Sequence, residues 1–148
     1  MIRSPTRPLA LCRINEFDVR FETGLPVTFG FVRNTEKSPN FGAQYGQDIE
    51  PAGRYMQHVP DWAKPLPGWQ AGIVSFRSPL VLAMTTDEFF YGPNGWKARL
   101  VLVFGSRRKA LSCKLLRLGI DGIVTCDHDG RGRVIGTREI VDLTPVRC

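Results

Sequence analysis

The chain lacks the features that mark several large classes of protein. It has no apolar run approaching the ~20 residues of a membrane-spanning helix, no internal repeat and no low-complexity tract. Its two histidines, His58 and His128, are not at the i, i+4 spacing of a helical metal pair, and both read as loop residues. Its four cysteines, Cys12, Cys113, Cys126 and Cys148, are widely separated, which argues against a zinc knuckle. No secretory leader is read, because Arg3 and Arg7 are followed by prolines rather than by an apolar core. A disulfide framework is therefore not expected. Cys113 and Cys126 read as small core residues and Cys148 as a free terminal thiol. No zinc-finger spacing and no aromatic RNA-reading motif is found. The expected location is the cytoplasm.

What is present describes one folded domain. At 148 residues the chain can bury a substantial core. Its 43% hydrophobic and 23% charged content are ordinary for a globular protein. The net charge of +6 suits an acidic or phosphate-bearing partner, and equally simple solubility. Part of that charge is Arg107-Arg108-Lys109, which reads as the solvated start of a helix.

Periodicity sets the expected elements. Two prolines keep Met1–Leu11 from being helical, and Ile2-Arg3 reads as a short strand. Phe17, Val19 and Phe21 alternate, as do Val27, Phe29 and Phe31, and both runs read as strands with one face inward. Gly30 within the second would admit a close neighbour. Thr35 or Ser38 is placed to cap a short helix presenting Phe41 and Tyr45 on one side, either as core or as a stacking wall. Residues 47–56 read as a loop or a second short helix. His58–Gly68, with three prolines, reads as a long loop and a possible lid, anchored by Trp62 and Trp69. Ala71–Phe76 and Pro79–Met84 are rich in branched and aromatic residues and read as a strand pair. Glu88–Tyr91 reads as a short aromatic helix. Trp96–Phe104 is assigned as helix, although periodicity alone does not separate helix from strand there. Ser106 is expected to cap a further helix with Leu111, Leu115 and Leu118 on one face and Gly119 as its stop.

Two apolar strands close the chain, Ile120–Val124 and Thr137–Leu143, on either side of a glycine-containing loop, Cys126–Gly136. Each has a carboxylate at its entrance, Asp121 and Glu139. An acid at the mouth of a buried strand is held by rigid backbone beside a cleft, where chemistry is commonly sited. The structural alternatives are a turn at Asp121-Gly122 and an edge-strand charge at Glu139.

Taken in order, four segments resemble the ADP-ribosyltransferase family, in its poly-ADP-ribose polymerase and diphtheria-toxin-like branch. Arg3-Ser4-Pro5-Thr6 occupies the first-strand position. Phe29-Gly30-Phe31 followed by Glu36–Phe41 is similar to the family's Gly-x-Tyr-Phe strand and Lys-Ser-Ala-Asn-Tyr helix. Phe76–Leu82 with Leu118–Ile123 looks like the strand–Asn-Pro-Leu–strand step and the Gly-Tyr-Asp-Gly-Val turn of phage and bacterial members. Arg138-Glu139-Ile140-Val141 resembles the strand with the catalytic glutamate. The sequence departs from the pattern at Arg3, where the branch has histidine, at Gly30 and Phe41, where it has tyrosines, and at Asp142, where its last strand is usually apolar.

The resemblance implies an α+β fold, an ADP-ribosyltransferase-like split β-sheet sandwich with short flanking helices. It implies NAD as substrate and Glu139 as the catalytic carboxylate, with Asp121 assisting. Arg3, Ser4, Thr6, Gly30, Phe31, Phe41, Tyr45 and Tyr55 would form the NAD-binding set. Arg3 would engage the pyrophosphate or the adenosine ribose through its fixed donor fork, and Phe41 would stack on nicotinamide. Tyr45 or Tyr55 would stand in for the missing tyrosine. The acceptor would be a macromolecule, a protein rather than a nucleic acid. The setting would be that of a small phage or bacterial effector acting on a host complex, including in a host cytoplasm. Two other readings stay open: an inactive binding module acting through its basic surface, and an NAD hydrolase toxin.

Overall fold

A computed structural model describes residues 13–14, 17–21, 27–34, 48–59, 67–84, 95–128 and 134–148. Among them the strands are β1 (Arg13–Ile14), β2 (Phe17–Phe21), β3 (Val27–Asn34), β4 (Arg54–His58), β5 (Trp69–Phe76), β6 (Pro79–Met84), β7 (Gly122–His128) and β8 (Val134–Asp142). Two helices, α1 (Trp96–Phe104) and α2 (Arg108–Arg117), lie in the chain between β6 and β7. The fold is mixed α+β. The described strands form one eight-stranded sheet in the order β1-β2-β6-β7-β8-β4-β3-β5, a single hydrogen-bonded series rather than two separate sheets.

Ala71–Phe76 and Pro79–Met84 are both strands, but they do not pair with each other. β5 pairs with β3 along all eight of its residues, while β6 lies antiparallel to β2 and parallel to β7. The chain changes place in the sheet at Arg77-Ser78, and the parallel β6–β7 pair then needs a long crossover. The two helices supply it.

Helix α1 exists because Trp96 and Leu100, four residues apart, present one face and are both buried. Gly105 stops it with φ 69°, its N–H donating to the Val101 carbonyl at 2.8 Å. Helix α2 buries Leu111 and Leu115, and Gly119 follows it at φ 88°. Its expected cap is corrected: the N-cap residue is Arg107, not Ser106, and no side chain caps the helix. The helix starts instead on the backbone of a distant loop. The Arg108 N–H donates to Ile49 O at 3.2 Å, and Ala52 N–H donates to Arg108 O at 3.4 Å. Arg108 adopts φ 56° to do so, a left-handed conformation that favours glycine.

Each sheet face carries its own core. On one face both helices pack over Leu80, Leu82, Ile123, Val141 and Leu143, with Ile120 and the half-buried Tyr55. Each fully buried leucine or isoleucine there contributes roughly 1.5–3 kcal/mol. The other face holds Met56, Phe76, Val81, Val124, Cys126 and Ile140, packed by Phe29, Phe31 and Val74. Gly122 lies against Phe76, where an added Cβ would fall 2.5 Å from the ring, so no larger residue fits without moving that ring.

Several local expectations are revised. Residues 48–50 form a turn, and the segment expected as loop or helix continues into β4. His58 ends that strand rather than sitting in a loop, and Trp69 opens β5. The closing strands run longer than expected, so Glu139 lies inside β8 rather than at its entrance. Cys113 and Cys148 form a disulfide, with Cα atoms 5.7 Å apart and a sequence separation of 35. Cys126 is buried and in no disulfide, as expected of a core residue. The Ile2-Arg3 strand, the helix after Thr35, the Glu88–Tyr91 helix and Trp62 lie outside the described residues. No helix is long and apolar enough to cross a membrane among the described residues.

Candidate functional site

The β7–β8 ladder shifts register twice, between Val124 and Cys126 and between Asp127 and His128, and the first shift lies at Glu139. Val124 pairs with Ile140 and Cys126 with Thr137, so two residues of β8, Arg138 and Glu139, stand opposite the single Thr125. This is the two-against-one count of a β-bulge, a device that re-aims a side chain and is frequent beside active sites. Thr125 is fully buried, and its hydroxyl replaces the missing ladder partner. It accepts from the Glu139 N–H and donates to the Glu139 carbonyl, both at 2.9 Å. A β-branched residue with one hydroxyl suits this position: it holds strand geometry and satisfies both backbone groups.

Glu139 pairs across β4 with Gln57, and Val141 pairs with Tyr55. Residues two apart share a sheet face, so Glu139, Gln57 and Tyr55 lie on the helix-bearing face. There the carboxyl meets a small charged cluster. Lys97 of α1 pairs with Glu50 of the 48–50 turn at 2.7 Å. The Lys97 ammonium also lies 5.4 Å from the Tyr55 ring centre and 5.5 Å from that of Trp96, within cation–π range. The Tyr55 hydroxyl donates to the Pro51 carbonyl at 2.6 Å. The turn is in turn fixed to α2, where Ser112, buried, donates to Ala52 O at 2.6 Å.

The electrostatics follow from this crowding. Burial pushes the Glu139 carboxyl up to about 7; Lys97 opposes the shift and Glu50 adds to it. Tyr55 is raised well above its ordinary value, first by burial, then by Glu50 and Glu139, against a lowering by Arg108. A carboxyl that titrates near neutrality can take or give a proton there, or as carboxylate face a developing positive charge.

The expected site residues divide. Glu139, Tyr55 and Gly30 lie on the same sheet face: Val32 pairs with Gln57, and Gly30 lies two residues from Val32. Gly30 is two strands away from Glu139, about 10 Å sideways at normal strand spacing. Phe31 points to the opposite face, where it packs in the second core against Gly72, so it does not share a face with Glu139. Alternation along a strand imposes this: neighbours cannot share a face.

Asp121 is also apart from Glu139. Its carboxylate accepts from the Arg77 N–H at 2.8 Å and the Ser78 N–H at 3.1 Å, clamping the step between β5 and β6. Its carbonyl accepts from Leu143 N–H at 3.1 Å, which places it four residues along β8 from Glu139, about 13 Å at strand rise. Its carboxylate is that of a turn residue, held apart from Glu139. Arg3, Ser4, Thr6, Phe41 and Tyr45 lie outside the described residues.

Sequence reasoning did not single out Thr125, Gln57, Glu50 or Lys97. Thr125 had a signal, a lone hydroxyl within the apolar run Ile123–Cys126. The Lys97–Glu50 pair spans 47 residues and had none. Among the described residues no group of three His, Cys, Asp or Glu side chains is placed to hold a metal ion. No protein-family model, curated protein or solved structure matches this chain.

Proposed function

We propose that this chain is an NAD-dependent ADP-ribosyltransferase that modifies a macromolecular acceptor, with Glu139 as its catalytic carboxylate. The observation that carries this reading is the placement of Glu139: an acid fixed by Thr125 at a strand bulge, largely desolvated, and flanked by Tyr55 on the same face. Cleavage of the nicotinamide–ribose bond builds positive charge on the ribose, as in glycoside cleavage. A carboxylate beside that centre stabilises it strongly because the surroundings are poor in water. NAD itself brings a cationic pyridinium, which favours the charged form of an acid that burial, chiefly, holds near 7. Tyr55 offers a ring, and Gly30 a position on the same face without a side chain.

The fold proposed with it is ADP-ribosyltransferase-like. In that reading β1-β2-β6-β7 and β8-β4-β3-β5 correspond to the two halves of the family's split sheet, joined here into one continuous sheet through the β7–β8 pair that carries the bulge at Thr125. The Gly30 strand, the Arg77–Leu82 step, the Asp121 turn and the Glu139 strand follow one another in the order of the resemblance.

The test is release of nicotinamide from NAD, and transfer of label from NAD to macromolecules of a cell lysate. Glu139→Gln keeps the side chain's shape and should lower either signal by more than about tenfold. An inert native protein, or an unaffected variant, removes the enzymatic reading.

A second reading, a binding module without turnover, is favoured by one observation. Phe31 and Asp121, two residues of the expected site, are occupied in core packing and in a turn. It predicts NAD-independent association with a partner, unaffected by Glu139→Gln.

A further inference from the structure

The two ends of the sheet differ in kind. One end is β1, two residues long and carrying Arg13, which pairs with Asp18 of β2. Short, charged edge strands resist pairing with another chain. The other end is β5, eight residues long, Trp-Gln-Ala-Gly-Ile-Val-Ser-Phe, without a charge or a proline. Among the described residues its only strand partner is β3, so its outer side presents backbone donors and acceptors in strand geometry. Ile73, at its centre, is 65% exposed. A long, uncharged edge with an exposed β-branched residue is the kind that takes up another strand.

We propose that β5 pairs with β5 of a second copy of this chain, antiparallel about a two-fold axis at Ile73, so that two sheets join into one of sixteen strands. The choice of a second copy rests on charge and on register. The chain carries a net +6, so two copies repel over most of their surfaces. Along β5 that repulsion has no local source. With Ile73 opposite its own mate, Ala71 meets Ser75, Gly72 meets Val74, and Gln70 meets Phe76. Each of these cross-strand pairs is uncharged, the Gly72–Val74 pair sets the smallest residue against a bulkier one, and Trp69 falls opposite Arg77 just beyond the strand. On the exposed face the two Ile73 side chains cover each other between Ala71 and Ser75, which removes apolar surface that a monomer leaves in water. An antiparallel two-fold pairing is isologous and closes after two copies, so it leads to a dimer and not to a fibre. It uses neither Glu139 nor Tyr55, although Ile73 stands directly across from Gly30 of β3, so the dimer edge borders the strand that the NAD reading invokes.

Sedimentation velocity on the purified chain, across a series from micromolar to several hundred micromolar, should show its mass double. Ile73→Lys places two like charges opposite each other at the axis and should leave a monomer at every concentration. Its circular dichroism should be unchanged, because the side chain is exposed. Ile73→Cys should give a covalent dimer on mild oxidation, since opposed Cβ atoms lie ~4.5–5.5 Å apart in an antiparallel pair. Leu102→Lys, on the exposed side of α1, should not affect the mass. A native chain that is monomeric throughout, or a dimer that survives Ile73→Lys, or one that Leu102→Lys dissociates, overturns the proposal.

Discussion

The hydroxyl of Thr125 holds both backbone groups of Glu139, at 2.9 Å each, in a ladder that has lost its register there. The backbone of the acid is therefore held by a buried neighbour on the adjacent strand. Thr125→Val keeps the shape and removes the hydroxyl, leaving a buried N–H and C=O without their partner. Urea denaturation should show a loss of about 2–4 kcal/mol, from two backbone groups at roughly 1–3 kcal/mol each with partial relaxation. Thr125→Ser should recover most of it. If valine costs no more than serine, the clamp has no energetic role.

The raised Glu139 carboxyl makes stability depend on pH with a definite sign. Its ordinary value is 4.5 and its folded value about 7. Between these values the folded chain keeps a proton that the unfolded chain releases, so this group's contribution to stability falls as pH rises through the window. The full effect is about 3 kcal/mol at 1.36 kcal/mol per unit. Glu139→Gln should flatten the curve between pH 4.5 and 7 and leave the variant more stable than the native chain above it. A difference curve that does not vary with pH would place the carboxyl in water.

The same titration governs the proposed reaction in the opposite direction. If the carboxylate is the working form, nicotinamide release at low NAD should rise with pH and level off above about 7. Lys97→Met removes the cation that lowers this value, so the rising limb should move to higher pH. An unmoved limb would mean that another group titrates.

Asp121 should behave as a structural residue. Asp121→Ala removes the acceptor of the Arg77 and Ser78 N–H groups and should cost about 2 kcal/mol, the range for hydrogen bonds to a charged group. Thermal denaturation measures this. Nicotinamide release per folded molecule should stay within about twofold of the native chain, far from the tenfold threshold for a transition-state contact.

The Cys113–Cys148 disulfide ties the last residue to α2 across 35 residues. Loop-closure entropy assigns such a link about 4 kcal/mol. Reduction, or Cys148→Ser, should lower unfolding stability by about that amount, with both treatments giving the same midpoint. Loss in one and not the other would separate the bond from the side chain.

Much of the local structure was legible in the sequence because its causes are local. Alternation at Val27, Phe29 and Phe31 marked β3, and Gly119 marked the end of α2. The helix assigned to Trp96–Phe104 is present, although periodicity alone did not separate helix from strand there. The carboxylates at Asp121 and Glu139 were visible as acids beside apolar runs. Their different roles were not visible. Asp121 was assigned to a turn by two backbone donors 43 and 44 residues away. Glu139 was placed among Lys97, Glu50 and Tyr55 by strand pairing and by a helix from another part of the chain.

The sequence by itself determined where most of the described strands and both helices form, β4 excepted, because side-chain period and turn residues act over a few positions. It also determined that Gly30 and Phe31, as neighbours in a strand, must face opposite ways. Only the tertiary structure decided that β5 and β6 part company, that Cys113 reaches Cys148, and that Thr125 meets Glu139. Those outcomes depend on which distant segments bury one another's apolar faces, and burial is a property of the whole packed chain rather than of any stretch within it.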